Sequence, residues 1–226
     1  MSQRVLVAGA IIFDLDGVLA NSIAVVEESW RIWAVKQGLD PELVRRMGHG
    51  RRTAEIVQTV APHLDLLAEI ELFVEIEQSL LDGVVPIPGA LEFVKSLPSH
   101  VWGIATSGER VVATARLRKL GFPIPQVLVA SEDVERGKPN PEVYLKAAAG
   151  LGVEPGLCLV FEDAPPGVAA ARAAGMTAVG VLTTVPPAEL RDAAELIPDF
   201  QGVTAKMIQE TPASIQIQMN GLSLRP

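Results

Sequence analysis

The chain has little of what secreted or nucleic-acid-binding proteins depend on. Its 226 residues include one cysteine. There are 19 lysines and arginines and 27 aspartates and glutamates, which gives a net charge of −8. One cysteine cannot form an internal disulfide, so Cys158, inside an apolar run, is predicted to be a core residue in a reducing cytoplasm. The acidic balance argues against a nucleic-acid or anionic-membrane partner, because both need a basic surface.

Long apolar runs are also missing, and none reaches the ~20 residues of a membrane-spanning helix. The run 5–13 could be mistaken for the core of a signal peptide, but Asp14 and Asp16 follow where a small-residue cleavage site should lie. The run is therefore interpreted as a buried strand. Since 49% of the residues are hydrophobic, the chain can bury a sizeable core, and we expect a soluble globular protein.

After residue 85, apolar strand-like runs alternate with helical patterns. This alternation predicts βαβ units and a parallel sheet of the Rossmann-like α/β class. The predicted strands are 101–106, 127–130, 157–161 and 178–182, and helical stretches at 110–120, 142–150 and 168–174 lie between them.

Residues 21–83 differ, because they show helical spacing and no convincing strand. We interpret them as an all-helical domain inserted into an α/β domain made of residues 1–20 and 84–226. Two of the three tryptophans lie in the insertion and are predicted to fill its core. Alternating residues around Asn220 and Gly221 predict a hairpin at 214–225 without a catalytic role.

Two aspartates one residue apart, Asp14 and Asp16, follow the first strand in the segment I-I-F-D-L-D-G-V-L. Open parallel sheets carry their chemistry at the carboxyl ends of strands. Two carboxylates in one small space need a metal or a proton to coexist. Gly17 suits a tight turn where the backbone approaches a ligand.

Three further segments carry polar or charged side chains that could take part in the same site. Thr106, Ser107 and Gly108 follow a predicted strand and offer a hydroxyl and amides to a phosphate, although Ser107 could equally be a helix cap. Lys138 precedes two prolines, Pro139 and Pro141, in the loop 137–141, where a lysine is more often solvated surface. Glu162 and Asp163 end another apolar strand.

Together these segments predict one site with a balance of charge. Asp14, Asp163 and Glu162 offer the hard oxygen ligands that Mg²⁺ prefers, while one cysteine and three histidines give zinc little support. Mg²⁺ and Lys138 would offset the carboxylates and admit an anionic phosphate.

The same segments resemble the motifs of the haloacid dehalogenase superfamily. They are F-D-L-D-G-V-L at 13–19, T-S-G at 106–108, R-G-K-P-N-P-E-V-Y at 136–144 and V-F-E-D-A-P-P-G-V at 160–168. The helical insertion resembles the type 1 cap of the branch that includes phosphoglycolate phosphatase and β-phosphoglucomutase. Dehalogenases of the superfamily lack an acid two residues after the nucleophile, so Asp16 favours phosphate-ester chemistry.

This resemblance implies a role for each matching residue. Asp14 would attack phosphorus and form an aspartyl-phosphate, and its ordinary pKa near ~3.9 would keep it ionised. Asp16 would be the general acid and then the base, with its backbone carbonyl on Mg²⁺ beside the side chains of Asp14 and Asp163. Glu162 would act on the metal through a water. The phosphoryl group would meet Lys138 and a set of binding residues comprising Thr106, Ser107, Gly108 and Asn140.

Substrate choice is expected to lie in the insertion, where H-G-R-R-T at 49–53 resembles sugar and polyol phosphatases. His49, Arg51 and Arg52 would bind the substrate's non-reacting end, although a solvated basic turn is the alternative. The predicted activity is a Mg²⁺-dependent phosphatase acting on small sugar or polyol phosphates. The alternatives are a sugar phosphate mutase, a phosphoglycolate phosphatase and a non-catalytic binding protein. A cytoplasmic protein is expected; a monomer is plausible, although the sequence does not determine oligomeric state.

Overall fold

A parallel β-sheet is the centre of the fold in this computed structural model, which describes residues 2–45, 50–210 and 213–221. Six strands pair in parallel in the order β6-β5-β2-β7-β8-β9. The predicted α/β class is therefore confirmed. The strands are β2 (Ala10–Phe13), β5 (Trp102–Ala105), β6 (Leu128–Val129), β7 (Cys158–Glu162), β8 (Thr177–Val181) and β9 (Glu195–Ile197).

Helices cover both faces of this sheet, which explains why most residues of its strands are apolar. Ile11 and Phe13 pack into the core on one face, while Ala10 and Ile12 pack on the other. Stacking of Phe13 on Phe161, with ring centroids 5.4 Å apart, joins neighbouring strands. The helices that follow the insertion are α5 (Ala90–Ser96), α6 (Arg110–Leu120), α7 (Glu142–Leu151) and α8 (Pro165–Ala173).

The segment between β2 and α5 carries helices with a hydrophobic cluster of their own. Trp30 and Trp33 pack edge to face there, 5.5 Å apart, and Phe73 packs against Trp30. Two short strands, β3 (Ala20–Asn21) and β4 (Val85–Pro86), pair where the chain enters and leaves this helical layer. The helices are α1 (Ile23–Lys36), α2 (Pro41–Arg45), α3 (Thr53–Val60) and α4 (Leu66–Ser79).

A second, antiparallel sheet corrects the interpretation of both chain ends. The run 5–13 splits at Gly9 into β1 (Ser2–Ala8) and β2, and β1 pairs with β11 (Ser214–Gly221), which also pairs with β10 (Thr204–Gln209). The predicted turn at Asn220 and Gly221 is wrong, because both residues belong to β11 and pair with β1. Burial of Ile215, Ile217 and Met219 along one side of β11 fixes this register. The second arm of the predicted hairpin, 222–225, lies outside the described residues.

Within those same described ranges, no helix is both long enough and apolar enough to cross a membrane.

Candidate active site

Three acidic side chains meet at the carboxyl ends of the two central strands. Asp14 follows β2, Glu162 ends β7 and Asp163 comes next, and each offers a carboxylate oxygen within 4.8 Å of the others. The Asp14 amide donates to the Phe161 carbonyl at 3.0 Å, which fixes one loop against the other. These three acids are also buried.

Lys138 lies between two of these acids. Its Nζ is 2.6 Å from Asp14 Oδ1 and 2.6 Å from Glu162 Oε1, and it lies over the ring of Tyr144 at 5.0 Å from the centroid. The lysine is only 4% exposed. The structure therefore rejects the alternative that this loop lysine is solvated surface. The peptide bond between Lys138 and Pro139 is cis.

Glu162 is held by donors on several sides. The Tyr144 hydroxyl donates to Oε1 at 2.8 Å, and the amides of Asp163 and Ala164 donate to Oε2 at 2.8 and 3.0 Å. These bonds fix the Glu162 carboxylate, which in turn positions Lys138 Nζ. Tyr144 was not singled out from the sequence, although it lies inside the R-G-K-P-N-P-E-V-Y segment.

Burial sets the protonation of the acids. Loss of solvent raises the pKa of Asp14 to about 7, the charges of Glu162 and Asp16 add to the rise, and Lys138 opposes it. Burial and the charge of Glu162 also raise the pKa of Asp163 well above its ordinary value. Burial acts to lower the pKa of Lys138, but Asp14 and Glu162 raise it well above the usual value. The pKa of Asp14 is therefore raised above the ordinary value expected from the sequence.

This imbalance fits a divalent cation. Three buried acids share one lysine, and their oxygens are the hard ligands that ions such as Mg²⁺ take. A cation there would favour ionised carboxylates. The residues present therefore fit a metal site.

The loop after β2 is shaped around Asp163. Gly17 has φ +76°, and a Cβ at this position would collide with the Asp163 carboxylate. Thr184 donates a hydrogen bond to Asp163, and Thr183 donates to the Gly17 carbonyl. Neither threonine could be predicted from the sequence, because they follow β8 without a motif.

Asp16 faces a cation that was not predicted. Nη1 of Arg116, on α6, lies 2.7 and 2.8 Å from the two carboxylate oxygens of Asp16, and the Ser22 hydroxyl also donates to Asp16. Nη2 of the same arginine donates to Glu77 Oε1 on α4 at 2.6 Å. Arg116 thus connects the loop after β2 with the helical layer.

The T-S-G segment lies beside the acids, after β5. The Gly108 amide donates to Thr106 Oγ1 at 3.1 Å, and Ser107 Oγ donates to the Gly50 carbonyl at 2.9 Å. Thr106, Ser107 and Gly108 line the same cavity as Asp14 and Asp16. The structure brings these five predicted residues together.

The basic loop of the insertion is placed in part. His49 lies outside the described residues, and Arg51 lines the cavity. Arg52 instead donates to the main-chain carbonyls of Val134 and Glu135, at 2.7 and 2.9 Å. Asn140 Oδ1 accepts from the Glu142 amide at the start of α7, 3.1 Å away. Arg52 and Asn140 line an outer groove, to which Arg51 and Lys138 also contribute.

Four further residues that line the cavity of Asp14 and Asp16 were not predicted as site residues. Glu77 and Glu109 supply buried carboxylates there, while Trp30 and Phe73 supply apolar surface. Helical periodicity places Trp30 and Phe73 inside the insertion, but it does not place the two glutamates in a cavity.

Comparison with known proteins agrees with this geometry. The family profile of haloacid dehalogenase-like hydrolases matches residues 8–175. Hexitol phosphatase A of Escherichia coli (strain K12) is 39% identical over 175 residues, which cover 75% of this chain and 81% of that protein. Glycerol-1-phosphate phosphohydrolase 2 of Saccharomyces cerevisiae is 34% identical over 187 residues, covering 77% and 75%. Among solved structures, β-phosphoglucomutase from Clostridium difficile has a TM-score of 0.75 at 24% identity, covering 86% of this chain and 92% of that one.

Proposed function

We propose that this chain, which belongs to the haloacid dehalogenase-like hydrolase family, is a Mg²⁺-dependent phosphatase that hydrolyses polyol and sugar monophosphates through an aspartyl-phosphate. The observation that carries the proposal is the contact of Lys138 Nζ with Asp14 Oδ1 and Glu162 Oε1, at 2.6 Å each, beside Asp163. Such a cluster positions a carboxylate nucleophile and neutralises a phosphate, which is most of what phosphoryl transfer requires.

In the first step an oxygen of Asp14 attacks phosphorus, and the bond from phosphorus to the ester oxygen breaks. Asp16 protonates the departing alkoxide oxygen. In the second step Asp16 takes a proton from water, water attacks phosphorus, and the Asp14 carboxylate is released with inorganic phosphate. Lys138 offsets the charge of Asp14 and of the phosphoryl oxygens throughout.

A cation at this site would be held by the side chains of Asp14 and Asp163, the Asp16 carbonyl and, through water, Glu162. When bound, Mg²⁺ supplies charge neutralisation at the phosphoryl oxygens. Thr106 Oγ1 and the Ser107 amide would bind the oxygens that remain on phosphorus. Arg116 and Ser22 keep the Asp16 side chain in one place before substrate enters.

The substrate class is proposed from the relatives and from the cavity. The names of the two curated relatives describe phosphatases of a hexitol phosphate and of glycerol 1-phosphate. The likeness to β-phosphoglucomutase is at 24% identity and supports the fold alone. The mutase alternative is therefore not favoured. The intact set of Asp14, Asp16, Lys138 and Asp163 speaks against a non-catalytic binding protein.

The test is release of inorganic phosphate from a panel of monoesters, with Mg²⁺ and with chelator. The panel contains a hexitol phosphate, glycerol 1-phosphate, a hexose 6-phosphate, phosphoglycolate and a nucleoside monophosphate. We expect release from polyol or sugar esters with Mg²⁺ only, and its loss in Asp14→Asn. Asp192→Asn is the matched control, because Asp192 is an exposed residue paired with Arg172. No release from any ester under Mg²⁺, or full activity in Asp14→Asn, would refute the proposal.

A further inference from the structure

The buried guanidinium of Arg116 joins the loop after β2 to helix α4 of the helical layer. Arg116 is 2% exposed, and its two terminal nitrogens contact Asp16 on one side and Glu77 on the other. Glu77 is 4% exposed and belongs to α4. Buried charges are rarely retained without a partner or a ligand. In this arrangement Arg116 has its partners, and Glu77 gives it one of its two oxygens.

Glu109 is a second buried acid in the same cavity. It precedes α6, is 5% exposed, and accepts a hydrogen bond from Thr53 Oγ1 of α3 at 3.2 Å. Burial, with the charge of Glu77 next, raises the pKa of Glu109 to about 7. Above about pH 7, Glu109 is therefore a carboxylate that accepts a hydrogen bond from a neutral hydroxyl. A carboxylate has about four acceptor positions, so a hydrogen bond from Thr53 leaves room for donors from a ligand.

Apolar side chains line the same cavity. Val26, Trp30 and Phe73 line it together with the two glutamates. A cavity that offers both acceptors and an aromatic surface suits a ligand that carries both hydroxyls and C–H groups. Polyols and sugars carry both. Arg51 also lines the cavity, but it lies 3.8 Å from Glu55 in an ion pair.

We propose that Glu77 and Glu109 select the substrate by its non-reacting end: their carboxylates accept hydrogen bonds from neighbouring hydroxyls of a neutral tail and repel a tail that carries a second phosphate or a carboxylate. Arg116 is the positioning residue that holds Glu77 in place. This inference rests on the proposed phosphatase function and names its specificity residues. It places polyol recognition on α4 and at the start of α6, whereas the sequence had pointed to the loop around residues 49–53.

The experiment compares kcat/KM of wild type and Glu109→Gln on four esters at pH 8, above the pKa of about 7 that burial gives Glu109. A hexitol phosphate has a neutral hydroxylated tail, phosphoglycolate and a sugar bisphosphate have anionic tails, and p-nitrophenyl phosphate has a tail without aliphatic hydroxyls. We expect Glu109→Gln to lose about tenfold on the hexitol phosphate, because a site built to bind a hydroxyl depends on its acceptor. It should change by less than about twofold on p-nitrophenyl phosphate and gain on the anionic esters.

Ratios between esters within one variant cancel any loss of folded protein, so a purely structural effect does not move them. Glu75→Gln is the matched control, since Glu75 is exposed on the same helix as Glu77. Glu77→Gln should repeat the change in ratio seen with Glu109→Gln, and Glu75→Gln should not.

An equal change on all four esters would overturn the recognition role while leaving the phosphatase intact. So would a wild-type preference for phosphoglycolate or the bisphosphate. No hydrolysis of any ester, p-nitrophenyl phosphate included, would instead refute the phosphatase function and this inference with it.

Discussion

Replacing Asp14 by asparagine should abolish activity and at the same time stabilise the metal-free protein. The reason is that Asp14 shares a buried site with Glu162 and Asp163, and Lys138 supplies one positive charge for all three. Asparagine keeps an acceptor oxygen for Lys138 but removes one negative charge. A group selected only for stability would not be expected to behave in this way.

The magnitude follows from the pKa of Asp14, which is raised from 3.8 to about 7. Because a tenfold change in proton binding corresponds to ~1.4 kcal/mol, ionising Asp14 in the folded protein costs up to about 4 kcal/mol above pH 7. A raised pKa of an acid means that wild-type stability falls as the pH rises from 3.8 to 7. Asp14→Asn should therefore be more stable than wild type by up to about 4 kcal/mol at pH 8, and about equal near pH 4.

The assay is urea unfolding of wild type, Asp14→Asn and the control Asp192→Asn, at pH 8 and pH 4.5, with chelator and with Mg²⁺. At pH 8, Mg²⁺ should narrow or reverse the difference in the free energy of unfolding between Asp14→Asn and wild type. The reason is that a ligand at 100 times its Kd stabilises the protein that binds it, here the wild type, by ~2.7 kcal/mol. An Asp14→Asn protein that is less stable than wild type in chelator at pH 8 would show that the Asp14 charge does not destabilise the folded protein. A stability difference that is the same at both pH values would show the same.

Three other perturbations test neighbouring parts of the site. Lys138→Met should lose activity and ~3–5 kcal/mol of stability at pH 8, because it leaves buried carboxylates unpaired. Lys146→Met is the control and should change both quantities little, because this half-exposed lysine pairs with Glu142 at the surface. Equal effects of the two variants in urea unfolding and in phosphate release would contradict this. Gly17→Ala and Gly121→Ala should each cost ~1–3 kcal/mol, since both glycines have positive φ. Only Gly17→Ala should abolish phosphate release, because its Cβ meets the Asp163 carboxylate while nothing lies within 4 Å at Gly121; an active Gly17→Ala would contradict this. The pKa of Glu109 is raised from 4.5 to about 7, so ionisation of Glu109 should lower wild-type stability by up to about 3 kcal/mol between pH 4.5 and 7. Glu109→Gln should remove this part of the dependence of the free energy of unfolding on pH. An unchanged pH dependence in the variant would contradict this.

The parts of the site that follow strands could be predicted from the sequence. Three of these residues come directly after a strand: Asp14 follows β2, Thr106 follows β5 and Asp163 follows β7. Parallel strands bring their carboxyl ends to one edge of a sheet. Local pattern and sheet geometry are sufficient there. Lys138 needed the family resemblance, because nothing local distinguishes it from a surface lysine.

The parts that depend on distant pairing could not be predicted. Arg116 lies on a helix with charged neighbours, and only its pairing with Asp16, 100 residues earlier in the chain, makes it a buried residue. Glu77 lies in an acidic stretch that is typical of a solvated helix face. The Asn220-Gly221 turn signal was overridden because β1 offered β11 an antiparallel edge. In each case a tertiary partner decided the structure.

Acid quench during turnover of a ³²P-labelled polyol phosphate with Mg²⁺ shows whether Asp14 forms the covalent intermediate. We expect label on the peptide that contains Asp14 in wild type, and neither label nor phosphate release in Asp14→Asn. Phosphate release from Asp14→Asn at the wild-type rate, or label on a peptide without Asp14, would contradict this expectation.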